Sequence, residues 1–477
     1  MLFNSYEFIF LLLPAAVLGY FLLNHISKKE LAKVYLVLIS LFFYGYNEWK
    51  YVAIIVLSII LNYSACRLME KYDQKKMIIL SICVILNLLI LGYFKYTDFL
   101  IENINLFFHG EIGYLRLALP LGISFFTFQQ ISYLIDASRG ECCKHSFLDY
   151  TLFVTFFPQL VAGPIVSHDE MLPQFASKEN KKLKYDNIVS GIQAFSIGLF
   201  KKVIIADNMG KIVSFGYQNL NAISSLEAIM TILAYTLQIY HDFSGYCDMA
   251  TGIALMFNIH IPQNFNSPYK ARTIVEFWKR WHMTLTRFLT KYVYIPLGGN
   301  RKGKIRQYMN IFTVFAVSGI WHGAGYTFII WGILHGIANM LCRITEKCHQ
   351  KIFGWVNWCI TFLFINLTWI VFRAVDMNQA AQLIRRVFAG GTDIHAELVE
   401  TMLQPTLISV PSQFVPFKFV MVCLFVLVIL IDLIAPNTNK IIDQKKRGIV
   451  SLMATYMLFM ISALSLSGVS TFLYFNF

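Results

Sequence analysis

Apolar runs recur along the whole chain, separated by short polar or basic blocks. An α-helix rises 1.5 Å per residue, so about 20 apolar residues cross the roughly 30 Å of hydrocarbon in a bilayer. The runs 8–23, 34–46, 51–66, 77–94, 117–135 and 188–205 suit that use. So do 226–240, 245–259, 310–321, 327–341, 353–372, 419–435 and 450–466. Several are shorter than a full span, which a bundle tolerates as tilted, broken or re-entrant helices where backbone meets protein instead of lipid. The pattern predicts an all-α polytopic membrane protein of about 11–13 membrane helices, re-entrant segments included. No tandem repeat or soluble insert divides it, so residues 1–477 read as one domain.

Composition agrees. With 57% hydrophobic and only 14% charged residues, the chain has too few charges to cover a water-soluble globule. The net charge of +13 does not point to nucleic acid, because the lysines and arginines sit in short blocks between apolar runs. Lys28, Lys29, Lys33, Arg67, Lys71, Lys75 and Lys76 place the loops after the first and third spans in the cytoplasm and the N-terminal end outside. Blocks 178–184, 272–306 and 440–447 then face the cytoplasm, and the polar stretch 374–416 lies outside as a loop region or docking surface. The segment 147–166, broken by Pro158 and Pro164, reads as re-entrant. The aromatic end 472–477 reads as an interfacial anchor on the outer side. The nine cysteines form no ligand-like pair and read as small buried hydrophobes, so neither a disulfide framework nor a metal site is expected.

Candidate chemistry starts with His322, set in the apolar stretch Ser318-Gly319-Ile320-Trp321-His322-Gly323-Ala324-Gly325. An ionisable residue at membrane depth is costly unless it packs against polar partners or lines a cavity, so it marks a functional site by default. The glycine pairs Gly319/Gly323 and Gly332/Gly336, the latter beside His335, predict close helix approach around it. Residues 274–292 follow a helical apolar period with Lys279, Arg280, Arg287 and Lys291 opposite, which predicts one amphipathic interfacial helix carrying His282 at the flank of its apolar stripe. The basic turn after it holds Asn300, Arg301, Lys302, Lys304 and Arg306 among glycines, suited to a phosphorylated coenzyme or to anionic lipid. The polar patch 238–248 either caps helix ends, the simpler reading for Asp242, or lines a polar cavity. No GxSxG element is present, so a histidine base acting on a hydroxyl brought by the substrate is the simplest chemistry.

These stretches carry a family likeness. Leu119-Pro120-Leu121-Gly122 with the run to 129, Phe157-Pro158-Gln159-Leu160 to 164, 242–248, 264–269, 277–282, 295–301 and Trp321-His322-Gly323-Ala324 resemble the membrane-bound O-acyltransferase family. The likeness is strongest to its bacterial alginate and peptidoglycan O-acetyltransferase branch. It implies a pinched helical core with a tunnel through the bilayer, in a bacterial cytoplasmic membrane. It also implies that His322 and His282 are the catalytic pair, with acetyl-CoA as cytoplasmic donor and an extracytoplasmic SGNH-type transferase as partner. Asn300, Arg301, Lys302, Lys304 and Arg306 are then the candidates for the coenzyme phosphates. Trp321, Gln238, Tyr246, Asp248 and His335 are the candidates for the tunnel wall. His241 departs from the apolar or aromatic residue expected at its place. Two rivals stay open at this point: D-alanyl transfer to teichoic acid, and a transporter for polysaccharide or lipid-linked sugar, although the inverted repeats common in transporters are not visible.

Overall fold

The computed structural model of the chain describes residues 1–142, 145–403, 417–444, 448–466 and 472–473. Among these residues the regular structure is helical throughout. Six helices are long and apolar enough to cross a membrane: Phe8–His25, Lys50–Lys71, Asp73–Phe108, Tyr185–Gln218, Tyr326–Ile344 and Gly354–Arg373. Val420–Ile434 and Ile449–Leu464 are shorter apolar helices. Lys29–Gly45, Ile123–Ser138, Ser225–Met256 and Gly303–His322 pack among them, the last three with more polar residues on their buried faces.

At the centre Tyr185–Gln218 runs antiparallel to Ser225–Met256. The second helix starts at a reciprocal cap: Ser224 Oγ accepts the Glu227 N–H at 3.2 Å, and the Glu227 carboxylate accepts the Ser224 N–H at 3.0 Å. Glycines spaced by seven on both helices meet across the interface, Gly191 against Gly252 and Gly198 against Gly245. A Cβ at Gly252 would stand 2.5 Å from the Gly191 carbonyl oxygen, and one at Gly245 would stand 2.8 Å from that of Gly198. Absent side chains let the backbones touch, which is how helices gain dispersion energy where no water drives them together. The expected glycine contact around His322 is also present, with Gly319 packed on Gly332 where helices Gly303–His322 and Tyr326–Ile344 cross.

Three expectations change. The runs 226–240 and 245–259 belong to one continuous helix, Ser225–Met256, so the polar patch between them lies mid-helix and caps nothing. Its carboxylates are met by lysines from the neighbouring helix, as described below. The amphipathic stretch 274–292 is two short helices, Ile274–Trp278 and Met283–Leu289, because the backbone turns at His282. The C-terminal aromatic Phe472 is 1% exposed and packs on Tyr246, with ring centroids 4.6 Å apart, so it is core and not an interfacial anchor. Residues 474–477 of that expected anchor, 404–416 of the outer loop region and 445–447 of the basic block lie outside the described residues. The segment 147–166 is broken as expected. Helix Phe147–Thr155 gives way to the short turn Phe157–Leu160, and the side-chain amides of Gln129 and Gln159 both donate to the Phe153 carbonyl.

Filling the glycine interface is the sharpest check on this packing. Gly252→Leu forces two backbones apart and is expected to lower the melting temperature of the detergent-purified protein by several degrees, since overpacking costs about 1–3 kcal/mol or more. Gly92→Leu, where an added side chain meets open space, is the matched control and is expected to leave it unchanged.

Candidate active site

His282 and His322 come together in the core, their ring centroids 6.5 Å apart. Each arrives by a break in a helix. His282 occupies the left-handed region (φ 44, ψ 52), a conformation that costs a non-glycine residue on the order of 1 kcal/mol and recurs at functional sites. A neighbouring strap holds the break open. Asn264 C=O accepts the Met283 N–H at 2.9 Å, and the Asn266 N–H donates to Arg280 C=O at 2.9 Å. The side chain of Asn264 adds a third tie: its Oδ1 accepts from the Thr284 hydroxyl at 2.9 Å and lies 3.1 Å from His282 Nδ1. An oxygen that already takes the Thr284 hydroxyl requires the proton on Nδ1, so Nε2 carries the lone pair of His282. The ring is 1% exposed.

His322 is the last residue of helix Gly303–His322, and Gly323 leaves it in extended backbone (φ −163). Aromatic rings enclose it: Trp321 at 5.0 Å, Trp331 at 5.1 Å and Phe372 at 5.4 Å between centroids. Phe243 stands edge-on to His282 at 4.9 Å. The result is an enclosure of aromatic rings around two buried imidazoles, which limits the access of water to them.

Not every predicted residue joins them. His335 is fully buried, accepts from the Trp278 indole N–H at 3.2 Å through Nδ1 and lies 3.1 Å from the Thr368 hydroxyl through Nε2. Both nitrogens are thus spent on packing. Trp321 lies against His282 (6.2 Å between centroids) and stacks on Phe128 (5.1 Å), so it walls the pocket. Gln238, Tyr246 and Asp248 share one helix but point to different neighbours. Gln238 approaches Gly210, Tyr246 stacks on Phe3 at 4.8 Å, and Asp248 pairs with Lys201 at 2.6 Å. Asn300, Arg301 and Lys302 are exposed on a turn tied down by the buried Asn310, which donates to the Gly299 carbonyl at 2.9 Å, and Lys304 and Arg306 are exposed at the start of helix Gly303–His322.

The lysine pair Lys201–Lys202 was missed in the sequence, and it is the strongest electrostatic feature of the core. It opens a π-helical segment, Lys201–Ala206, inside a membrane-length helix. Lys202 is 2% exposed and reaches Asp242 at 2.7 Å and Asp207 at 2.8 Å, while Lys201 takes Asp248. Asp242 also accepts the Leu473 N–H at 2.8 Å, which fastens the C-terminal segment to the core. His241 completes the set with Asp432 at 3.2 Å. Two lysines inside an apolar run were the available signal, since charge at that depth requires partners.

A cavity of about 250 Å³ is lined by Trp278, Thr286, Tyr294, Ser318, Lys279 and Arg343 among others, while His282 and His322 are not in its lining. Ser318 is one helical turn before His322, and the lining cations Lys279 and Arg343 are exposed. Nearby, outside the spans, Lys291 reaches Asp136 at 3.0 Å. Partial burial would lower its pKa, but hydrogen bonds with Asp136 and Tyr292 hold it above the usual lysine range.

A buried histidine pair in a helical membrane core, walled by aromatic rings, is the candidate site of this fold. Residues 41–375 match the membrane-bound O-acyltransferase family, and the chain belongs to it. It is 42% identical to the peptidoglycan O-acetyltransferase of Helicobacter pylori across 100% of this chain and 98% of that protein. It is 34% identical to the probable alginate O-acetylase of Pseudomonas aeruginosa over 82% of this chain and 76% of the relative. The teichoic acid D-alanyltransferase of Bacillus subtilis is 28% identical over 54% of this chain and 70% of its own length. The protein is an O-acyltransferase of the membrane, with several spanning helices.

Removing Lys202 tests the ladder. Lys202→Met strands Asp242 and Asp207, and breaking a buried pair costs about 3–5 kcal/mol, so little folded protein is expected on size-exclusion chromatography. The double variant Lys202→Met with Asp242→Asn is expected to recover part of the yield. Equal yields for both would show that the pair contributes nothing specific.

Proposed function

We propose that the protein transfers acetyl from cytoplasmic acetyl-CoA to a hydroxyl acceptor, for O-acetylation of an extracytoplasmic polysaccharide in a bacterial cytoplasmic membrane. Peptidoglycan is the polymer favoured by the full-length likeness to the H. pylori protein; the alginate-type relatives cover less of the chain. The observation that carries the reading is a cavity whose lining includes both Ser318, one helical turn before His322, and the exposed cations Lys279 and Arg343.

In this reading the coenzyme phosphates meet Lys279 and Arg343. The basic residues Arg301, Lys302, Lys304 and Arg306 follow the cavity-lining Tyr294 in the chain, and Gly299 between them packs on its ring. The thioester end lies toward Ser318. His322, as neutral imidazole, takes the proton of the acceptor hydroxyl while that oxygen attacks the carbonyl carbon. The tetrahedral intermediate collapses, the C–S bond breaks, and the proton passes to the departing thiolate, leaving an acetate ester and free CoA. His282, held in one tautomer by Asn264, orients the acceptor or stabilises charge beside His322. An SGNH-type transferase outside the membrane then passes acetyl to the polymer. D-alanyl transfer is the second reading, favoured only by a likeness confined to about half of the chain.

His322→Ala is expected to insert normally and lose transfer by about 10² to 10⁴-fold, the contribution of a positioned base, with His282→Ala losing less. Near-normal polymer acetylation by a well-expressed His322→Ala would remove the assignment. Replacing Lys279 and Arg343 together by Gln is expected to raise the KM for acetyl-CoA more than it lowers kcat, because phosphate contacts are alike in ground and transition states. Activity from an acylated carrier protein with none from acetyl-CoA would favour the D-alanyl reading.

A further inference from the structure

Helix Gly303–His322 ends inside the protein, and an α-helix leaves its last four carbonyls without intrahelical partners. No water at membrane depth supplies them. The residues that follow do not fold back as a cap, since Gly323 and Gly325 are extended (φ −163 and −170). Three of the carbonyls are taken up by another helix, Lys76–Phe108. The Lys95 ammonium donates to the Trp321 carbonyl at 2.6 Å and to the His322 carbonyl at 2.9 Å. Its neighbour Tyr96 donates its hydroxyl to the Ile320 carbonyl. Lys95 also lies 5.8 Å from the centroid of the Trp321 ring, within cation–π range.

The same helix holds the other side of the break. Phe99 packs on the Tyr326 ring at 5.3 Å between centroids, and Asn103 accepts the Tyr326 hydroxyl. Lys95, Phe99 and Asn103 are four residues apart and form one stripe on a helix face. That stripe clamps the end of the His322 helix and the start of Tyr326–Ile344 at once. The charge matters as well as the donors, because a cation at a helix C-terminus meets the negative end of the macrodipole. The cavity that Lys95 lines with Pro120, Gly122, Ser124 and Trp321 measures only about 30 Å³, room for about one water and not for a substrate group.

We infer that Lys95 is a positioning residue for acyl transfer: by holding the Trp321 and His322 carbonyls it fixes where the His322 imidazole stands. The inference rests on His322 being the base. A reacting group displaced by about 1 Å can lose about 10²-fold in rate, so the brace is expected to matter far more to turnover than to insertion.

The test compares variants at matched membrane abundance in cells lacking the wild-type copy, with O-acetyl ester on the envelope polymer measured as acetate released by mild base. Lys95→Met, similar in length but uncharged, is expected to lose about tenfold or more. Lys95→Arg keeps the cation and the donors and is expected to restore most of the ester, a rescue that a role in bulk packing alone would not require. His322→Ala is run beside them and is expected to give none. Wild-type ester from Lys95→Met beside an inactive His322→Ala overturns the brace. So does Lys95→Arg as inactive as Lys95→Met. Wild-type ester from His322→Ala overturns the reading beneath it. If Lys95→Met fails to reach the membrane, Tyr96→Phe removes only the Ile320 contact; about a threefold loss at normal abundance is expected, and wild-type ester overturns the inference.

Discussion

Hydrocarbon offers no hydrogen bonds, so a polar side chain or a helix end at membrane depth must be met from within the protein, and here the partners repeatedly come from a different helix. Lys202 is met by Asp242, Lys201 by Asp248 and His241 by Asp432. The open end of the His322 helix is met by Lys95 and Tyr96. Each such pair fixes two elements relative to each other, because leaving either partner alone is costlier than the pair is favourable. The site inherits its geometry from these obligations. His282 points inward because the Asn264–Asn266 strap satisfies both sides of a strained break.

Packing supplies the rest. Glycines at 191, 198, 245 and 252 bring two long helices into backbone contact, and Gly319 and Gly332 do the same where the two helices flanking His322 cross. Close crossings leave little room, so aromatic side chains fill what remains, and Trp321, Trp331 and Phe372 close around the imidazole. Rings packed this closely hold the His322 imidazole in place and leave the residue 5% exposed.

Much of this was legible in the chain. Apolar runs with basic breaks gave a helical membrane protein, His322 stood out because an imidazole at that depth needs a reason, and the glycine pairs flanking it do pack where helices cross. What escaped was pairing across distance. The patch 238–248 reads as a helix cap or a cavity lining because its residues are polar, yet it is mid-helix, and Lys201 and Lys202, some forty positions earlier, pair with its carboxylates. Periodicity around 282 predicts one helix, since a backbone turn held by Asn264 leaves no mark in the apolar spacing. The residues 301–306 carry the densest charge in the sequence, while Lys279 and Arg343, far apart in the chain, are the cations that line the cavity.

The central claim is that the acyl carbon is presented to His322 through the cavity lined by Trp278 and Ser318. A structure of the protein bound to a CoA analogue with a ketone in place of the thioester tests it most directly. The account predicts density for the pantetheine arm in that cavity, phosphates between Lys279 and Arg343, and a carbonyl group beside the His322 ring with room for an acceptor oxygen at about 3–3.5 Å. An analogue bound elsewhere, or a carbonyl that ends beside His335 with His322 out of reach, would contradict it.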